Sequence, residues 1–276
     1  MTKYLKDILP LQQWLVKNKM SQSILTSEDD GLSEVSTIKL SKGEDGEDIS
    51  IVVNKQCFRQ LGVNQPLGEN VIDAVACLFQ LRDDRICESH KSVNSNKQNY
   101  QPFQRSKYVR ASFWEALLQG MKSVDQLKEE YFGQDWNVEN YLHVYIYVTS
   151  FDAHSVDPWA LLQVNLVTHK IGYLDGRING RAQPVPPELM EFLTMIRNVF
   201  QPLLSTLVPA FLNEWQCSVY RETYFELLDN QYDSGVYIAA FTYFLSVEVP
   251  LYFNHNSIVR LRMSFAYWIL VGALPI

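Results

Sequence analysis

The sequence predicts one α+β domain in which helices precede and follow a small mixed central sheet. Three observations carry this. Apolar residues recur at helical spacing over residues 70–81 and 110–131. The period then changes: residues 141–148, YLHVYIYV, are β-rich and almost wholly apolar, as in a buried strand, and residues 159–166 and 170–174 read as two more strands. Helical spacing returns over residues 187–207 and 256–272. That order of helices, sheet and helices is the pattern of an α+β domain.

In chain order, residues 3–19 carry Leu5, Ile8, Leu11, Trp14 and Leu15 at helical spacing, and Pro10 divides the segment. Residues 26–49 are polar, with two acidic clusters and a short strand-like break at 35–40. Residues 1–49 therefore read as a helical and acidic loop extension, and residues 50–276 as the domain proper. Residues 51–53 suit a strand and 54–61 a short helix. The helix at 70–81 starts behind Gly68-Glu69-Asn70. Residues 83–107 are poor in apolar side chains, and the piece at 92–101, SVNSNKQNYQ, reads as a mobile loop. Gly120 divides the helical pattern over 110–131. Val167-Thr168-His169 makes a tight hairpin, and residues 211–220 read as a fourth strand.

The chain has 276 residues, 47% of them apolar, with 14 Phe, 15 Tyr and 6 Trp. That is enough to bury a sizeable core, so the chain is globular and not disordered. Net charge is −7 with no Lys/Arg cluster, which argues against nucleic acid as a partner. Cys57, Cys77, Cys87 and Cys217 lie far apart and form no C-x-x-C, so they read as thiols in a reducing compartment and not as a zinc set. No metal-ligand spacing or phosphate-binding glycine loop is present, so no cofactor is expected. No secretory signal pattern opens the chain, and the most apolar run, residues 263–276, is too short to span a bilayer. An intracellular protein of the nucleus or cytoplasm, off the membrane, is the expectation.

The stretch that organises the rest is residues 227–244, LLDNQYDSGVYIAAFTYF. A polar turn runs into Ser234-Gly235 and then an apolar run. A nucleophile-sized residue at a helix start, followed by glycine, sits where negative charge is stabilised and a second backbone can approach. The plainer reading is a helix N-cap made by Asp233 or Ser234.

Asn230-Gln231-Tyr232-Asp233-Ser234-Gly235-Val236-Tyr237 resembles the Asn-x-x-Asp-Cys-Gly-[Val/Ile/Met]-[Tyr/Phe] signature of the SUMO/sentrin-specific (ubiquitin-like-protein-specific) cysteine proteases, with Ser234 at the Cys position. The likeness extends over roughly residues 50–275. It implies the papain-like/adenain-like cysteine protease fold, whose Cys, His and Asp cut after the Gly-Gly tail of a ubiquitin-like modifier. Trp159 with its strand matches the family Trp, which covers the tail channel. The residue before it, at the His position, is Pro158. Asp175 matches the Asp that orients the His, and its separation of 17 residues from Pro158 fits the family spacing. Asn230, Asp233 and Gly235 match around the nucleophile. Leu228 stands at the position of the oxyanion Gln, six residues before Ser234. Residues 65–72 resemble the family's Trp-Leu-Asn-Asp-x-x-Ile helix start without its Trp.

The resemblance is thus retained in scaffold and broken in chemistry. A Ser hydroxyl needs a base more than a thiol does. Pro158 has none, and Leu228 offers an oxyanion nothing, a loss of on the order of 10²–10³ in rate. His154, four residues before Pro158, is the weak alternative base. The expectation is a pseudoprotease, a protein-binding module or assembly subunit whose partner is a SUMO- or ubiquitin-like modifier or another protein. The alternatives are a deconjugating cysteine protease with its nucleophile substituted, and a structural subunit using only its outer surface.

Overall fold

Among the described residues five strands form the central sheet, and a separate hairpin precedes it. The computed structural model describes residues 34–42, 48–62, 64–94, 104–151, 159–178, 185–209, 214–220, 226–228, 230, 232–272 and 274. The helical segment expected within 3–19, His154 and Pro158 all lie outside these residues.

The hairpin pairs β1 (Glu34–Lys42) with β2 (Asp48–Asn54). A short helix, α1 (Lys55–Gln60), follows, and the side chain of Asn54 caps it by accepting from the Cys57 N–H. The long helix α2 spans Glu69–Asn94. It runs well past residue 81 and takes in the first three residues of the loop expected over 92–101, whose remainder lies outside the described residues; the strand β3 (Arg105–Val109) follows. The docking there is polar, which hid it from a hydrophobic pattern. Asp83 accepts from the Ser106 N–H and the Tyr108 hydroxyl, and Gln80 Oε1 accepts from the Tyr108 N–H. Arg82, itself buried, donates to Asp83.

The predicted break near Gly120 is real. α3 (Ser112–Gln119) ends at Gly120, which holds φ +61°, and α4 (Val124–Phe132) starts on a Ser123 capping box. Then come β4 (Tyr141–Thr149), β5 (Trp159–Asn165) and β6 (Lys170–Leu174) as an antiparallel meander, with β3 parallel to β4 and β7 (Gln216–Val219) parallel to β6. The helix α5 (Pro187–Leu207) precedes β7, and α6 (Ser234–Ser246) and α7 (His255–Val271) end the fold.

Strand alternation divides the core in two. Tyr145, Tyr147, Leu161 and Leu174 face one side, where α2, α6 and α7 pack. Val144, Ile146, Ala160, Leu162 and Tyr173 face the other, against α3, α4 and α5. Because both faces are covered, these strands read as continuous apolar runs instead of alternating ones. Among the described residues no helix is long and apolar enough to cross a membrane.

Candidate active site

Ser234 is the first residue of α6 and is fully buried. Every residue of α6 from Ser234 to Thr242 is buried, because this helix lies between the sheet and α2 and α7. Asp233 occupies the N-cap position, yet its side chain makes no capping bond. The N-cap reading of Asp233 is therefore corrected. Its carboxylate accepts from Nε and Nη2 of Arg262 on α7, at 3.0 and 2.6 Å. Arg262 is 2% exposed and also donates to the carbonyls of Gln60, Gln65 and Tyr232. One buried guanidinium thus ties the last helix to the loop in front of α2 and to the turn in front of Ser234. Asn230 closes that turn by accepting from the Tyr232 N–H and donates to Asn64.

Trp159 meets the start of α6 directly. Its backbone N–H donates to Ser234 Oγ at 3.2 Å, and its indole N–H donates to the Leu67 carbonyl at 2.8 Å. Gly235 is glycine because the helix start comes this close: a Cβ there would lie 2.8 Å from Leu67 Cβ and 3.3 Å from Trp159 Cδ1. Register brings in the next pair. Leu161 is paired with Leu174, so Trp159, two residues before Leu161, and Asp175, one residue after Leu174, share one end of the sheet. At that end the Leu228 N–H donates to the Gly176 carbonyl at 2.7 Å, and the Tyr237 ring packs on Gly176. The Leu228 side chain, half-buried, packs on the core and brings no donor.

Asp175 is 1% exposed, and its carboxylate is filled. Oδ1 accepts from the Arg177 N–H and Nε, both at 2.9 Å. Oδ2 accepts from Ser150 Oγ at 2.5 Å, the Tyr173 hydroxyl at 3.0 Å and Arg177 Nη2 at 3.0 Å. A carboxylate has about four lone-pair positions, and five donors are set on them. Burial, and next the neighbouring Asp175 charge, push the Tyr173 hydroxyl well above the usual tyrosine range, so it stays a donor. Alternation carries Asp175, like Tyr173, toward the face covered by α5, whereas Trp159 lies on the α6 side. A bridging base at the sheet end would be needed to join Asp175 to Ser234.

A model of the Ulp1 protease family, C-terminal catalytic domain, matches residues 70–273. The chain belongs to the Ulp1 protease family. Solved structures agree in fold. The C-terminal Ulp1 protease domain in complex with Smt3, the yeast ortholog of SUMO, has a TM-score of 0.59 at 18% identity, over 92% of this chain and 93% of that one. The SUMO protease Ulp1 with its catalytic cysteine oxidized to a sulfonic acid gives 0.61 at 17%, over 92% and 93%. The Chaetomium thermophilum Ulp1-like SUMO protease catalytic domain gives 0.59 at 15%, over 94% and 89%. No curated protein matches the sequence.

Within this Ulp1-family domain, His143 and His169 stand away from Ser234. His143 pairs with Asn165 six residues along β4 from Thr149, the partner of Trp159, so it lies at the far end of the sheet. His169 sits in the hairpin at that same far end. His255 starts α7 beside Glu226. Burial pushes the Cys77 and Cys217 thiols up to about 12, which leaves them without nucleophilic thiolate. Among the described residues no His/Cys/Asp/Glu group is arranged to hold a metal. Sequence reasoning missed Ser150, Tyr173, Arg177 and Arg262. A signal for Arg177 stood beside Asp175: a cation two residues beyond an acid that ends a strand, across a tight Gly turn.

Proposed function

We propose that this Ulp1-family domain is a pseudoprotease that binds a protein and does not cut it. The partner that suits the scaffold is a SUMO-type modifier, the class held by the Ulp1 domain solved with Smt3. The observation that carries the reading is the state of three positions to which the resemblance assigns chemistry. Ser234 replaces the thiol, Leu228 places a hydrocarbon where an oxyanion donor belongs, and Asp175 is committed to Arg177, Ser150 and Tyr173. A serine at a helix N-terminus keeps its proton at neutral pH unless a base removes it. The resemblance puts Pro158, which has no base, at that place.

A second reading is a deconjugating cysteine protease with its nucleophile substituted, Ser234 for Cys. The fit of Ser234 at the buried start of α6, against Trp159 and Gly235, favours it. One experiment separates the two. The purified protein is incubated with SUMO and ubiquitin precursors carrying a C-terminal extension, while binding of the mature modifiers is followed by calorimetry. The pseudoprotease reading expects binding of a SUMO-type modifier and no processed product. Cleavage at the Gly-Gly tail by the chain as it stands would overturn it.

A further inference from the structure

We propose that the loop closing α6, residues 247–252, is a docking platform for a cationic, amphipathic segment of a partner protein. It lies at the opposite end of α6 from Ser234, roughly 20 Å away along a helix of 13 residues. It is therefore a second surface, and it does not depend on the proposed modifier site.

α6 ends in a Schellman motif. The Glu248 N–H donates to the Leu245 carbonyl and the Val249 N–H to the Phe244 carbonyl, with Glu248 in the left-handed region at φ +54°. α3 and α7 end on Gly120 and Gly272 in that same region. Glycine suits the position because it has no Cβ to strain. An acid there also meets the negative end of the helix dipole. Glu248 is thus unfavourable for two reasons, and among the described residues no cation is paired with it. Strain of this kind points to a function for the residue that bears it.

The side chains around Glu248 have the make-up of a binding surface. Val247, Val249 and Leu227 are exposed, and Tyr252 is 60% exposed. Leu227 lies alongside because the Glu226 N–H donates to the Phe253 carbonyl, while the Glu226 carboxylate accepts from the His255 N–H. The loop is anchored from beneath. Leu251 and Phe253 are buried, and the Phe253 ring packs on Tyr237, Phe241 and Phe244 at 5.1, 5.7 and 5.7 Å. The Tyr252 N–H donates to the Pro250 carbonyl at 2.8 Å, which fixes the backbone that presents the phenol ring. An exposed aromatic on a fixed backbone makes a good interface anchor, because little freedom is lost on binding. No lysine or arginine stands in residues 226–228 or 247–257, so Glu226 and Glu248 set the charge of this surface. That selects the occupant: apolar side chains for Tyr252 and the valines, lysine or arginine for the acids. A second copy of the chain, docked about a two-fold axis, would bring acid against acid.

The test uses the full chain and a fluorescent peptide of leucine and lysine, patterned to put leucine on one helical face. The same peptide with glutamate for lysine is the control probe. Anisotropy titrations compare the parent with Tyr252→Ser, Glu248→Gly and Met121→Ser. Met121, 80% exposed between α3 and α4, reports on unspecific apolar binding. The lysine peptide is expected to bind the parent with a Kd of about 10–100 µM, and the glutamate peptide at least about tenfold more weakly. Tyr252→Ser and Glu248→Gly should each weaken the lysine peptide about five- to tenfold, and Met121→Ser should leave it unchanged. Glu248→Gly should at the same time raise the melting temperature, because glycine relieves the left-handed turn. A residue kept only for the fold would not lose binding while gaining stability. The proposal is overturned if the lysine peptide does not bind or the glutamate peptide binds equally well. It is also overturned if Met121→Ser weakens binding as much as Tyr252→Ser, or if Glu248→Gly melts below the parent. Self-association of the parent that Tyr252→Ser abolishes would give the face to a second copy and overturn it too. Failure of a SUMO-type modifier to bind would count against the proposed function and leave this result standing.

Discussion

Arg177 grips both oxygens of Asp175 from two residues away, and it does so at the end of the sheet where Trp159 touches Ser234. The pair is buried on the acid side, where the Asp175 side chain is wholly covered, while 19% of the arginine side chain stays exposed. Its removal should therefore cost stability in the manner of a buried pair. Arg177→Ala is expected to lose about 2–4 kcal/mol, since Ser150 and Tyr173 keep the carboxylate only partly satisfied. Asp175→Ala alone loses a similar amount. The double variant should lose clearly less than the sum, leaving a coupling of about 1–3 kcal/mol in urea denaturation. Additive losses would mean that the contact is incidental.

Ser234→Cys made alone should restore little or no chemistry. The thiol would gain the helix N-terminus of α6 but would meet a Trp159 N–H and no base among the described residues. Incubation with modifier precursors is expected to leave them uncut over hours. Efficient processing by this single variant would show that another residue, His154 first, supplies the base.

The scaffold was legible in the sequence because its strands are covered on both faces. Runs such as residues 141–148 are mostly buried, and Gly120 punctuates the chain with the residue that its left-handed helix end favours. The polar parts were not legible. The second half of α2 docks on β3 through Asp83, Gln80 and Tyr108, and no hydrophobic period records a carboxylate that accepts from a neighbouring strand. The same holds at the site. Ser234, Asp175 and Leu228 are named by a motif, but the commitment of Asp175 to Arg177, and of Asp233 to Arg262, is three-dimensional. Asp233 looked like a cap because Asp before a helix usually is one. Arg262, 29 residues further on, takes it instead.

Gly235→Ala tests how tightly the helix start is held. The added methyl would lie 2.8 Å from Leu67 Cβ, a distance that forces the loop before α2 to move. That loop is fixed by Arg262 on the Gln60 and Gln65 carbonyls. A loss of about 1–3 kcal/mol is expected, the range for overpacking a filled core. Leu67→Ala in the same chain should recover part of it by removing the atoms that clash beyond Cβ, whereas Leu67→Ala alone destabilises by opening a cavity. Thermal denaturation of the four proteins checks the sign. A double variant weaker than both singles would place the strain elsewhere.

Two groups outside the site give the fold an opposed pH response. Burial holds His143 near 4, against an ordinary 6.5, so the folded state keeps it neutral. Between those values the unfolded chain binds the extra proton, and stability is lost as pH falls from about 6.5 to about 4. Asp73 runs the other way. Burial raises it from 3.8 to about 6 despite the hydrogen bond it accepts from the Ala111 N–H. There the folded state binds the extra proton, so stability is greatest below 3.8 and is lost as pH rises through 6. In the overlap, pH 4 to 6, the two slopes oppose each other, and each substitution should unmask the other. Asp73→Asn keeps the acceptor for Ala111. Relative to the parent it should gain stability as pH rises from 4, reaching about 1–2 kcal/mol at pH 7. His143→Gln keeps a polar partner for Asn165 and should gain relative to the parent as pH falls below 6.5. Urea midpoints at pH 4.5, 5.5 and 7 give both differences. If Asp73→Asn shows the same difference at pH 4.5 and 7, Asp73 titrates as an ordinary surface carboxylate and its burial has no electrostatic consequence.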